Sequence, residues 1–191
     1  MLIRRILWQS HDDPGHEWCE LATGPSSSRL AGSVVLATRD APWRIAYEID
    51  LDDAGRTRHV RVVADGPDAA PTTLDLTADG RGRWVRTESG EVVADDPGAI
   101  DVDLGFSPST NTLPIRRLGL AVGERHEIAV CWVLFPSFDV VVGRQVYERL
   151  AKRTWRFRSG SFEGDLTVDS DGLVQEYADW RAVSSITIEQ D

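Results

Sequence analysis

The stretch SPSTNTLPIRRLGL, Ser107–Leu120, breaks the pattern of everything around it. Asn111 or Thr112 can cap a helix N-terminus, and Pro114 fits a first turn whose backbone N–H groups lack partners anyway. Gly119 suits a left-handed C-terminal cap. These signals predict a helix near 111–119, too short to be stable alone. Leu113, Ile115, Leu118 and Leu120 supply the apolar contacts that would anchor it. Arg116 and Arg117 fall late in the helix, where positive charge opposes the negative end of the helix dipole.

Outside this stretch the period is two. GSVVLAT (32–38), WRIAYEIDL (43–51), RHVRVVA (58–64), TTLDLTA (72–78) and RWVRT (83–87) read as strands. DDAG, DGPDAAP, ADGRG and ESGE between them carry turn chemistry. After the helix come HEIAVCWVLF (126–135), DVVVGRQVYERL (139–150), TWRFRSG (154–160), SFEGDLTVD (161–169), LVQEYA (173–178) and DWRAVSSITIE (179–189). The chain thus predicts about fourteen strands in a meandering, all-β, mainly antiparallel sheet. A lone short helix can plug the concave side of such a sheet if the sheet curves strongly. No linker or internal repeat interrupts 1–191, which reads as a single domain.

Bulk properties narrow the function classes. A chain of 191 residues buries roughly 70% of its unfolded surface and needs neither disulfide nor metal for a core. Its formal charge of −10 repels phosphate backbones and anionic membranes, which argues against nucleic acid as a partner. MLIRRILWQS lacks the apolar run of an export signal, and no stretch approaches the ~20 apolar residues of a transmembrane helix. Cys131 sits in an apolar strand far from Cys19, so a buried free thiol in a reducing cytoplasm is the expectation. Lys152 is the only lysine among 21 basic residues, a bias that suggests a GC-rich bacterial genome.

DVDLGFSPSTNTLPIRRLGL (101–120), CWVLFPSFDVVVGRQVYERL (131–150) and GLVQEYADW (172–180) together resemble a bacterial family known as "putative glycolipid-binding". Trp18, Glu20 and the WRIAYEIDLD region are compatible with it, so the resemblance spans nearly the whole chain and fades most in 64–98. It implies a spiral β-roll, a many-stranded sheet wrapped around one helix, assembled as a homodimer. It also implies a distant likeness in shape to bacterial lipoprotein carriers, which hold acyl chains against a curved sheet.

Two readings of the arginines stay open. Arg116 or Arg117, with Asn111, forms an anion clamp for a ligand's polar end, or pairs within the chain with Asp101 or Asp103. In IDVDLGF the apolar Ile100, Val102, Leu104 and Phe106 alternate with those two aspartates. Thr110, Asn111 and Thr112 suit sugar hydroxyls, or simply capping. Of seven tryptophans, Trp84 between Arg83 and Arg86 reads as the best exposed platform for a ligand. Gln145 and Tyr147 share a strand face and are candidates for a cavity wall.

HDDPGHEWCE (11–20) has ligand-type side chains but no zinc spacing, and its Asp-Asp-Pro-Gly centre reads as a turn. No metal, cofactor or catalytic residue is assigned, because no nucleophile elbow, zinc-protease motif or phosphate loop occurs. The sequence therefore favours non-catalytic binding of a glycolipid or another amphipathic acyl ligand. The alternative is a structural or interaction protein acting through its homodimer or a protein partner, with no small-molecule ligand. A third possibility, an enzyme acting on envelope sugars or lipids, would need a cleft with a convergent, strongly shifted carboxylate or His.

Overall fold

A computed structural model describes residues 1–12 and 14–189. Eight strands run in order from the start: β1 (Leu2–Ser10), β2 (Gly15–Thr23), β3 (Ser28–Ala37), β4 (Pro42–Leu51), β5 (Thr57–Asp65), β6 (Thr72–Ala78), β7 (Arg83–Arg86) and β8 (Val92–Asp95). Then come β9 (Ala99–Leu104), a 3-10 turn (Ser109–Asn111) and α1 (Thr112–Leu118). The chain finishes with β10 (Arg125–Val133), β11 (Val140–Arg149), β12 (Thr154–Ser159), β13 (Phe162–Val168), β14 (Val174–Tyr177) and β15 (Trp180–Glu189). The expectation of an all-β sheet around a short helix holds. The strands that the sequence reading passed over include β1, β2 and β8.

All fifteen strands belong to one sheet, ordered β8-β7-β6-β5-β4-β3-β2-β1-β15-β14-β13-β12-β11-β10-β9. Two antiparallel meanders, β1–β8 and β10–β15, are thus joined at β1 and β15, β9 is added beyond β10, and the sheet's edges are β8 and β9. Only Asp96, Pro97 and Gly98 separate those edges along the chain. So short a link spans no more than about 14 Å, which forces the two edges together. The sheet therefore rolls up on itself, with β5 packed against β9 and β8 against β11.

Three contacts hold the seam. The Arg144 guanidinium reaches Asp96 at 2.5 Å, the Asp96 amide donates to the Gly82 carbonyl, and the Trp84 indole donates to the Ala99 carbonyl at 2.6 Å. Trp84 is completely buried, so the expectation of an exposed platform is corrected. Its position in β7 faces inward, and burying the ring while satisfying its N–H outweighs any pull from the flanking arginines.

β9 runs parallel to β10, whereas every other pairing in the sheet is antiparallel. Parallel neighbours cannot be joined by a hairpin and need a crossover of a dozen or more residues, usually helical. The 3-10 turn and α1 are that crossover, and it passes through the inside of the roll. Leu113, Pro114 and Ile115 are buried there, and Gly119 takes the left-handed conformation (φ 57°) that ends the helix. Asn111 lies in the right-handed helical region and makes no capping bond, because the 3-10 turn feeds straight into α1. The capping role expected for it is corrected accordingly.

Strand alternation then fills the interior. In β4 the buried positions are Trp43, Ile45, Tyr47, Ile49 and Leu51, each separated by an outward residue. Both cysteines are buried and free. Trp84→Phe should leave the Ala99 carbonyl unpaired at the seam and destabilise the fold by about 2 kcal/mol, read as a lower urea midpoint.

Candidate functional site

The segment between β9 and α1 is fastened to the roll by carboxylates on β2 and β9. Asp101 is fully buried, and its oxygens accept two bonds from Arg117 Nε and one from Arg117 Nη2 at 2.6 Å. Burial pushes the Asp101 carboxyl up and the guanidinium pulls it back, leaving a net rise. Arg116, the neighbour, turns outward and donates from Nη1 to the Asp171 carbonyl at 2.6 Å. Arg116 lines grooves of about 250 and 500 Å3 on the outside of the helix, and Arg117 shares the second with it; both grooves carry acidic as well as basic side chains.

Asp103 has no arginine partner. Its Oδ2 accepts a bond from Gln145 Nε2 at 2.5 Å. Desolvation raises its pKa to about 6, against opposing hydrogen bonds from Gln145 and Thr110. Beside it, the Tyr147 hydroxyl donates to Asn111 Oδ1 at 2.8 Å, and Asn111 Nδ2 donates to the Pro108 carbonyl. Asn111, Gln145 and Tyr147 are all buried. The structure thus brings these three together around Asp103, and leaves Trp84, Arg116 and Arg117 elsewhere.

Glu17 completes the set, and sequence reasoning missed it. It is fully buried in β2, where Oε1 accepts bonds from the Tyr47 hydroxyl at 2.5 Å and from Ser107 Oγ at 2.7 Å. Tyr47 also contacts Ser109 Oγ, which lies 2.6 Å from Ser107 Oγ. Burial lifts the Glu17 pKa to about 7, with the hydroxyl donors pulling the other way. The signal lay in the period: Gly15, Glu17, Cys19 and Leu21 alternate onto one face. Reading 11–20 around its turn and its ligand-type side chains hid that face. Asp13, in the turn expected there, lies outside the described residues. Among the described residues, no group of three His, Cys, Asp or Glu is placed to hold a metal ion.

Next to Asp103 lies a cavity of about 370 Å3. Asp103, Ser107 and Asn111 contribute its polar lining from the β9–α1 segment. Phe106, Trp132 and Phe135 supply one set of aromatic walls, and Phe157, Phe162, Tyr177 and Trp180 another. The rings brace each other: Phe106 and Phe135 are 6.0 Å apart between centroids, and Phe157 and Tyr177 5.7 Å in an edge-to-face contact. Ser10, Thr38, Ser159 and Asp179 add polar groups. This is the form of a small-molecule site, an apolar concavity with a few convergent polar groups.

Two outcomes test this description. Arg117→Ala strands a buried carboxylate and should cost about 3–5 kcal/mol in urea unfolding, whereas Arg116→Ala should cost less than about 1 kcal/mol. Glu17 binds its proton more tightly when folded than at the ordinary value of 4.5. Its contribution is therefore fully present below pH 4.5 and is lost as pH rises towards 7. The loss amounts to about 3 kcal/mol, and Glu17→Gln should remove that part of the slope between pH 4.5 and 7.

Comparison with known proteins bears on the fold and the family. No protein of curated function matches the chain. A crystal structure of a DUF1089 family protein from Pseudomonas aeruginosa is similar at a TM-score of 0.75 and 31% identity, covering 90% of this chain and 92% of that one. A β-barrel-like protein of DUF1849 from Brucella abortus shares the fold at a TM-score of 0.57 and 9% identity, over 98% of this chain and 97% of its own. The family model described as "Putative glycolipid-binding" matches residues 5–182, and the chain belongs to that family.

Proposed function

We propose that the protein binds an amphipathic molecule, a glycolipid or another acyl-bearing compound, without transforming it. The observation that carries this reading is the aromatic cavity of about 370 Å3 beside the β9–α1 segment, with Asp103 and Asn111 in its lining. A helix that filled the concavity completely would have favoured a purely structural or interaction role. Here an apolar chain or sugar face has rings to lie against, and its polar end has carboxylate and amide groups to meet. The family name supports a binding role of this kind. Gln145 and Tyr147 act from behind, holding Asp103 and Asn111 in place.

The carboxylates with raised pKa values are not by themselves grounds for an enzyme. Glu17 accepts bonds from the Tyr47 and Ser107 hydroxyls, which also pack the segment, and it does not itself line the cavity. Homodimer formation, implied by the family resemblance, belongs to the same proposal. Exposed Trp18, Val35 and Ile186 on β2, β3 and β15 offer apolar surface for it, and sedimentation should give twice the chain mass.

Native mass spectrometry of delipidated protein, incubated with a total bacterial lipid extract, tests the binding role. A discrete added mass is expected, and Ser159→Trp, which places bulk in the cavity, should abolish it without unfolding the protein. Wild-type protein that stays bare would overturn the carrier and leave the interaction role.

A further inference from the structure

The charge of the cavity says more than its shape. Asp103 and Asp179 line it, and no Lys or Arg is found among its described lining residues. The chain has 21 such residues, and the two on α1 turn away from this space. Asp101, two residues from Asp103, is neutralised by Arg117. Asp103 meets only the neutral Gln145 amide and the Thr110 hydroxyl, and keeps part of its surface open to the cavity. The titratable groups that feel its charge, Cys131, Tyr147 and Tyr177, are all thiol or phenol and cannot compensate it.

Aromatic rings line the same cavity as this charge. The faces of Phe and Tyr rings carry negative potential and attract cations, the more so where water is thinned. Phe157, Phe162 and Tyr177 form a mutually braced group with centroids 5.7 to 6.1 Å apart. An anionic head group would meet carboxylates and ring faces, both repulsive. An uncharged hydroxylated head would gain hydrogen bonds but leave Asp103 uncompensated.

Resting on the cavity as the binding site, we propose that it selects ligands whose polar end carries a protonated amine, with Asp103 as counter-ion and the surrounding rings as a cation-holding wall. An amino-sugar head group and an alkylammonium share that chemistry. The raised pKa of Asp103 fits a carboxylate desolvated without a cation.

Three probes with one tail decide the matter: dodecylamine, dodecyl glucoside and laurate, each below its micelle concentration at pH 7.5, titrated into the full chain by calorimetry. Dodecylamine should bind at least about tenfold more tightly than the glucoside, with laurate weakest. Asp103→Asn should erase the amine's advantage over the glucoside. A glucoside that equals the amine in wild-type protein overturns the inference, as does an advantage that survives Asp103→Asn. The wild-type ranking decides alone if that variant does not fold. Ser159→Trp separates the two levels. It should abolish all three bindings. If no probe binds wild-type protein, or if binding persists in Ser159→Trp, the cavity is not the site and the head-group inference falls with it.

Discussion

The structure depends on one constraint, the parallel pairing of β9 with β10. A chain that meanders antiparallel everywhere else needs no helix. Making one parallel pair obliges it to travel back along the sheet before entering β10, and the return path is the 3-10 turn and α1. Because the three-residue link from β8 has already brought the two sheet edges together, that return path is enclosed. The helix is therefore a consequence of topology, and its apolar side chains serve as the core's filling.

Enclosing an irregular segment creates a polar problem. The turn from Gly105 to Asn111 carries hydroxyls, an amide and backbone groups, most of them buried. Glu17 on β2 and Asp101 and Asp103 on β9 answer it, each accepting from a different part of the segment or its support. Buried charge of this sort adds little net stability against an apolar alternative, but it restricts the segment to one placement. Removing a single partner is costly for the same reason. The cavity lies where this polar lining meets the aromatic walls, so the groups that position the segment also set the chemistry presented to a ligand.

Much of this architecture was legible in the sequence. The alternation from 32 to 87 and from 126 to 189, the Gly119 stop and the apolar anchors of the helix all act locally, and local signals survive translation into pattern. The shared face of Gln145 and Tyr147 was readable for the same reason. What was hidden depended on contacts across the roll. Trp84 looks exposed beside two arginines until the seam against Ala99 buries it. Arg116 and Arg117 look equivalent, and only the position of Asp101 distinguishes the inward one. Glu17 was masked by neighbouring His and Asp residues that drew attention to a turn, although its period-two companions pointed inward.

The joint between the two meanders has a further consequence. β1 pairs with β15 along its whole length, with Leu2 opposite Glu189, and the Trp8 indole donates to the Val174 carbonyl. Each meander consists of hairpins that can form from nearby residues. This middle ladder joins segments separated by nearly the full chain, and its loop-closure entropy must be met before its contacts reward it. On a ribosome, the first eight strands emerge with β1 as an open edge, and they must wait for the last strand to cover it. Until then that edge is a template for unwanted pairing. Arg4 and Arg5, pointing to opposite faces of β1, place charge on both sides of the waiting strand.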